Sequence, residues 1–143
     1  MSLILHHMAI ACDDPLAVEG YYSSYFGFRR ARVIPLGDGN QIVFIKNENA
    51  YLELFKAKES RPVPHALEDG PWYSEWRHLA FKVEDVDKKL EEMGADARIT
   101  LGPFDFGAFI PGWRTVWVAD PEGNIVEITQ GYRDEENPPA FPG

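Results

Sequence analysis

The sequence predicts an α+β fold made of two βαβββ modules, and three observations predict it. First, "HMAIACDD" at residues 7–14 returns as "HLAFKVED" at residues 78–85, an offset of 71 in a chain of 143. Second, each copy leads into a capped, amphipathic segment that stops at a glycine, and three short strands with hairpin turns follow. Third, the last strand of each half carries a glutamate among apolar residues, in "YLEL" (51–54) and "IVEI" (125–128).

The elements follow in order. A first strand is predicted over Leu3 to Cys12. Asp13-Asp14-Pro15 then supplies an N-cap and a proline for the first helical turn. Leu16, Tyr22, Tyr25 and Phe26 recur at helical spacing, and Gly27 ends the helix. Strands over Arg29–Pro35, Gln41–Lys46 and Ala50–Phe55 are joined by "GDGN" and "NEN". In the second half the strand His78–Val83 precedes a helix whose apolar stripe is Val86, Leu90 and Met93, closed by Gly94. Strands near Arg98–Leu101, Arg114–Ala119 and Ile125–Gln130 complete it, the last two linked by "DPEGN", which fits a type I turn with a bulge. The expected division is a first module at residues 1–55, a linker at 56–77, a second module at 78–133 and an acidic, proline-rich tail at 134–143.

Composition narrows the function classes. An apolar fraction of 45% and a charged fraction of 26% are those of an ordinary globular protein. A formal charge of −9 argues against nucleic acid as a partner. No apolar run is long enough to span a bilayer, so no membrane partner is expected. No signal peptide is recognisable, and the single cysteine, Cys12, excludes an intrachain disulfide framework. The cytoplasm is the expected location, with Cys12 a small buried apolar residue.

The two histidines and two glutamates form a registered pair: His7 to Glu53 spans 46 residues and His78 to Glu127 spans 49. Alone, each His would pass for a core histidine and each Glu for an edge residue or an arginine's partner. Recurrence of both types in both halves favours another reading. Two such half-sites facing each other place two imidazoles and two carboxylates around one point, a shell for a divalent metal with room for substrate.

These residues, with "YYSSYFGF" (21–28), "HLAFKVEDVD" (78–87) and "DPEGNIVEI" (120–128), resemble the vicinal oxygen chelate superfamily over about residues 5 to 131. That superfamily includes glyoxalase I, methylmalonyl-CoA epimerase, extradiol dioxygenases, and fosfomycin-resistance and bleomycin-binding proteins. The resemblance implies that the two modules pair into a cupped mixed sheet with the helices outside and a metal within. Carried over position by position, the ligands are His7, Glu53, His78 and Glu127. The cofactor implied is one divalent ion, with zinc, nickel, cobalt, manganese and iron all compatible with the donor set. His6 is expected to face the helix side, and His65 in the linker has no identifiable partner.

The resemblance further implies a metal-dependent lyase or isomerase, glyoxalase- or epimerase-like, acting on a small molecule. Such a metal polarises a substrate carbonyl so that the adjacent C–H proton can leave to a base, here Glu127 or Glu53. The alternatives are an Fe(II) ring-cleaving dioxygenase and a non-catalytic binding module of the drug-resistance kind. A glutamate at position 53 favours the lyases and isomerases, because dioxygenases and fosfomycin transferases resemble one another in using two His and one Glu. By the same analogy the chain is expected to be a homodimer. The stretch "LGPFDFGAFIPGW" (101–113) supplies Phe104, Phe106, Phe109 and Trp113 as candidate substrate contacts, either as a lid or as a satellite core, with Arg114 as a candidate partner for a substrate anion. Glyoxalase I proteins typically hold glutathione with an Arg four residues after the first ligand and an Asn four after the second. Those positions are Ala11 and Ala57 here, so a glutathione-linked substrate is not expected.

Overall fold

A computed structural model describes residues 3–63 and 70–143. His65 lies outside the described residues. The elements are β1 (Met8–Cys12), α1 (Pro15–Phe26), β2 (Arg29–Gly37), β3 (Asn40–Lys46), β4 (Tyr51–Lys56), β5 (His78–Lys82), α2 (Val86–Met93), β6 (Arg98–Asp105), β7 (Arg114–Ala119) and β8 (Ile125–Gln130). They form two four-stranded mixed sheets with one topology, β1-β4-β3-β2 and β5-β8-β7-β6. In each, the first strand pairs parallel with the fourth and the other pairings are antiparallel. The α+β class expected from the repeat is the one observed.

Local chemistry explains the boundaries. The Asp14 carboxylate accepts from Ala17 N at the start of α1, with Pro15 in the first turn, and Gly27 closes the helix in the left-handed region. In the β2–β3 turn Asp38 and Gly39 both have positive φ, as a two-residue type I′ hairpin requires. At α2 the Asp85 carboxylate accepts from Lys88 N.

Three expectations shift. The first strand begins at Met8, because its ladder partner β4 begins at Tyr51, so residues 3–7 run on beyond the sheet. The strand β6 continues to Asp105, well past Leu101, pairing Phe104 with Thr115 and Asp105 with Arg114 across a register shift. On α1, Leu16 is exposed, and Val18, Tyr21, Tyr22 and Phe26 form the buried face.

One core serves both halves. Alternate residues of each sheet are buried: Val43, Ile45, Leu52 and Leu54 in the first, and Val116, Val118, Val126 and Ile128 in the second. Both helices pack into this core. Phe26 of α1 stacks on Phe81 of β5 at 4.5 Å, and Lys89 of α2 lies over the Phe26 ring. The buried faces of the two sheets therefore turn toward shared helices, and their other faces look outward.

Burial of weak acids in this core sets an alkaline limit. Cys12 is fully buried, and its thiol pKa is pushed from 9.0 up to about 12, first by desolvation and then by the nearby carboxylates of Glu122, Asp120 and Asp14. Tyr22 is pushed well above 10.0 by burial and by Asp120. Both folded values lie above the unfolded ones, so the stability they hold is complete below pH 9 and drains as pH rises. The denaturation midpoint is expected to stay level from pH 7 to about 9 and fall above it. Cys12→Ala should delay the onset of that fall. A midpoint unchanged to pH 11 would contradict this.

Candidate metal centre

The sequence repeat reappears as a repeat of register. In the parallel ladders Ala9 pairs with Glu53 and Ala80 pairs with Glu127, which puts His7 and His78 two residues before equivalent positions. Residues two apart in a strand share a face, so His78 lies on the face of Glu127, and His7, one residue before β1, reaches the face of Glu53 by direct contact. His7 Nε2 stands 3.2 Å from Glu53 Oε2, and His78 Nε2 stands 2.8 Å from Glu127 Oε2. Both faces look away from the core.

These distances suit a shared ion. Imidazole nitrogen and carboxylate oxygen each bind a divalent ion such as zinc at about 2.0–2.2 Å, so two adjacent donors lie roughly 3.0–3.4 Å apart. Each half-site is close to such a coordination edge. Among the described residues, no group of three or more His, Cys, Asp or Glu side chains able to hold a metal gathers in one place. The donor chemistry fits a divalent metal, and the chain presents it as two pairs rather than one quartet.

The surroundings of the two pairs differ. The cross-strand neighbour is Phe44 for Glu53 and Trp117 for Glu127. His7 meets the Phe44 ring edge-on at 5.5 Å, and His78 meets Trp117 at 6.2 Å. In the second half Thr115 Oγ1 donates to Glu127 Oε1 at 2.7 Å. Arg77 stacks over Trp117, its Nη1 3.3 Å from His78 Nδ1. Thr115, Trp117 and Arg77 were not among the predicted site residues. The first two were within reach, because the "DPEGN" turn fixes the β7–β8 register and so places Trp117 opposite Glu127.

The remaining predicted site residues separate. Phe104 packs against Trp117 at 6.2 Å and joins the His78–Glu127 face. Phe106 bridges Phe104 and Trp113, and the Trp113 indole N–H donates to Thr129 Oγ1. Phe109 is exposed at the tip of a tight turn closed by Phe106 N to Trp113 O and Trp113 N to Ile110 O. So the stretch 101–113 is a strand end and a compact turn more than a long loop. Arg114 takes the other side. It pairs with Gln130 in the ladder, facing the helices, and its Nη2 donates to Asp87 of α2 at 2.9 Å. His6 also departs from expectation: with no ladder to alternate its side chain, its ring stacks on Tyr51 at 5.3 Å, beside Glu53.

Comparison with known proteins agrees with the fold. The model of the Glyoxalase/Bleomycin resistance protein/Dioxygenase superfamily matches residues 4–128. The chain belongs to that superfamily. Solved structures share its fold. A lactoylglutathione lyase from Agrobacterium tumefaciens is 25% identical with a TM-score of 0.56, covering 90% of this chain and 93% of that one. A glyoxalase family protein from Enterococcus faecalis is also 25% identical, with a TM-score of 0.61 over 88% and 96% of the two chains. The fosfomycin resistance protein FosX from Listeria monocytogenes is 15% identical with a TM-score of 0.66, over 92% and 96%. No curated protein matches the sequence. The superfamily thus includes enzymes, and no described helix of this member is long and apolar enough to cross a membrane.

Proposed function

We propose that this superfamily member is a metal-dependent lyase or isomerase that moves a proton next to a carbonyl of a small substrate. The observation that carries the reading is the pair of His/Glu half-sites in identical register, each with its donors at coordination spacing. His7, Glu53, His78 and Glu127 would hold the metal. A bound divalent ion there supplies Lewis acidity toward a carbonyl oxygen. The protein's own part is to accept and return the proton, and the carboxylates of Glu53 and Glu127 are the bases at hand. The wall of Trp117, Phe104 and Phe106 limits water beside the second half-site and suits an apolar substrate.

The outward-facing half-sites favour a site closed between two copies, one lending His7 and Glu53 and the other His78 and Glu127. The first sheet's edge strand β2 is exposed along its length, including Val33, Ile34 and Leu36, and Leu3, Ile4 and Leu5, just before the opposite edge strand β1, are exposed as well. Uncovered apolar surface of this kind marks an interaction face, and a homodimer would cover it.

Metal content tests the assignment directly. Protein purified without chelator is expected to carry about one divalent ion per chain, since a two-fold dimer has two equivalent sites. His78→Ala should lose most of it, and unchanged metal in that variant sinks the ligand set. A second test concerns the substrate. Ala11 and Ala57 cannot replace the charge-assisted contacts that resembling glyoxalases make to glutathione, each worth about 1.5–3 kcal/mol. The methylglyoxal–glutathione adduct is therefore expected to be a poor substrate. Turnover with kcat/KM near 10⁴ M⁻¹s⁻¹, roughly the low end of the usual enzyme range, would overturn that.

A further inference from the structure

The repeat gives the two halves the same His/Glu register but different support behind the glutamates. In the second half Thr115 is fully buried, and its hydroxyl faces two acceptors, Glu127 Oε1 at 2.7 Å and the Ile128 carbonyl at 3.2 Å. A hydroxyl has one proton, and the nearer, charged acceptor takes it. Glu127 is thus held by both oxygens: Oε1 by Thr115, Oε2 by His78.

The first half lacks this brace. Thr115 lies two residues before Trp117, the cross-strand partner of Glu127, and the equivalent position before Phe44 is Ile42. Ile42 pairs with Phe55, two apolar side chains where the second half pairs Thr115 with Thr129. Among the described residues, the partner recorded for the Glu53 carboxylate is His7, at the longer distance of 3.2 Å, and its side chain is more exposed than that of Glu127, 20% against 14%.

We propose that Thr115 is a positioning residue that fixes Glu127 as the stationary carboxylate and leaves Glu53 as the mobile one. The assignment rests on the proposed metal centre and divides roles within it. A carboxylate tied through one oxygen presents the other in a set direction, which is what a permanent ligand needs. A carboxylate without such a brace can turn away without breaking a second hydrogen bond of that kind. Glu53 is therefore the carboxylate freer to turn toward a substrate proton.

The experiment is cobalt(II) binding to the full chain, read by affinity and by the visible spectrum of the bound ion, with no substrate present. Thr115→Val keeps the shape and removes the donor. It should weaken cobalt binding roughly 10–100-fold, as loss of a ligand's supporting hydrogen bond commonly does, and alter the spectrum. Thr115→Ser, which keeps the hydroxyl, should restore both, whereas Ile42→Val in the first half should change neither. Glu127→Gln should lose more affinity than Glu53→Gln. If Thr115→Val does not fold, the comparison of Thr115→Ser with Thr115→Ala takes its place. Wild-type affinity and spectrum in the hydroxyl-free variant, or the reverse order of the two glutamine variants, overturns the proposal while leaving the metal centre standing. A wild-type protein that binds no cobalt overturns the metal centre itself, and this assignment with it.

Discussion

Mixing His7→Ala protein with His78→Ala protein, unfolding and refolding them together, is expected to restore about a quarter of the wild-type tight metal sites, although neither variant alone holds metal tightly. The reasoning is geometric. If each site joins the His7–Glu53 pair of one copy to the His78–Glu127 pair of the other, a mixed dimer has one site with both substitutions and one with neither. Random pairing makes half of the dimers mixed, and each contributes one intact site of two. A site closed within one chain gives a different answer, because every chain then carries a damaged site and mixing restores nothing. Isolating the mixed dimer with two affinity tags sharpens the test to one tightly bound ion per dimer. The expectation follows from the outward-facing pairs, 3.2 and 2.8 Å across, and from the lack of a larger donor group among the described residues. No recovery in the purified mixed dimer would rule out closure between copies.

The repeat made most of this legible, because a strand's period of two turns sequence spacing into shared faces. Once "HMAIACDD" and "HLAFKVED" are aligned, the register of His with Glu follows in both halves, and so do the α+β class and the hairpin turns. Three things did not follow. The start of β1 depends on where its partner β4 begins, which is a property of pairing and not of Leu3–Leu5, whose apolar character looks strand-like. The side taken by Arg114 depends on one residue of register in β7, and a slip of one reverses every side chain. The outward direction of the two half-sites depends on how α1 packs. Tyr22 and Phe26 look like an ordinary helical stripe, and nothing in their spacing reveals that Phe81 of the other module is their partner.

That packing includes a buried polar fastening, and its loss should carry a large stability cost. Asp120, in the β7–β8 turn, is fully buried. Its Oδ1 accepts from Glu122 N and Asn124 N, both at 2.9 Å, and its Oδ2 accepts from Asn124 Nδ2 and from the Tyr22 hydroxyl, both at 3.0 Å. Three of those donors shape the "DPEGN" turn, and the fourth comes from α1 in the other half of the chain. Asp120→Ala removes all four acceptor contacts at once and leaves Tyr22 Oη, itself buried, without its partner. Unmet buried donors cost about 1–3 kcal/mol each before water re-enters the turn, so the expected net loss is about 3–5 kcal/mol. For a chain of this size that lowers the thermal midpoint by roughly 10–15 °C. Tyr22→Phe removes one donor and keeps the ring in the core, so it should cost about 1 kcal/mol. Urea unfolding of the two variants checks both numbers. If Asp120→Ala falls within 1 kcal/mol of wild type, roughly the scale of a single hydrogen bond, the carboxylate is not what ties the turn to α1. The other contacts of α1, Phe26 on Phe81 and the Tyr25 hydroxyl on Asp96 among them, would then be what joins the halves.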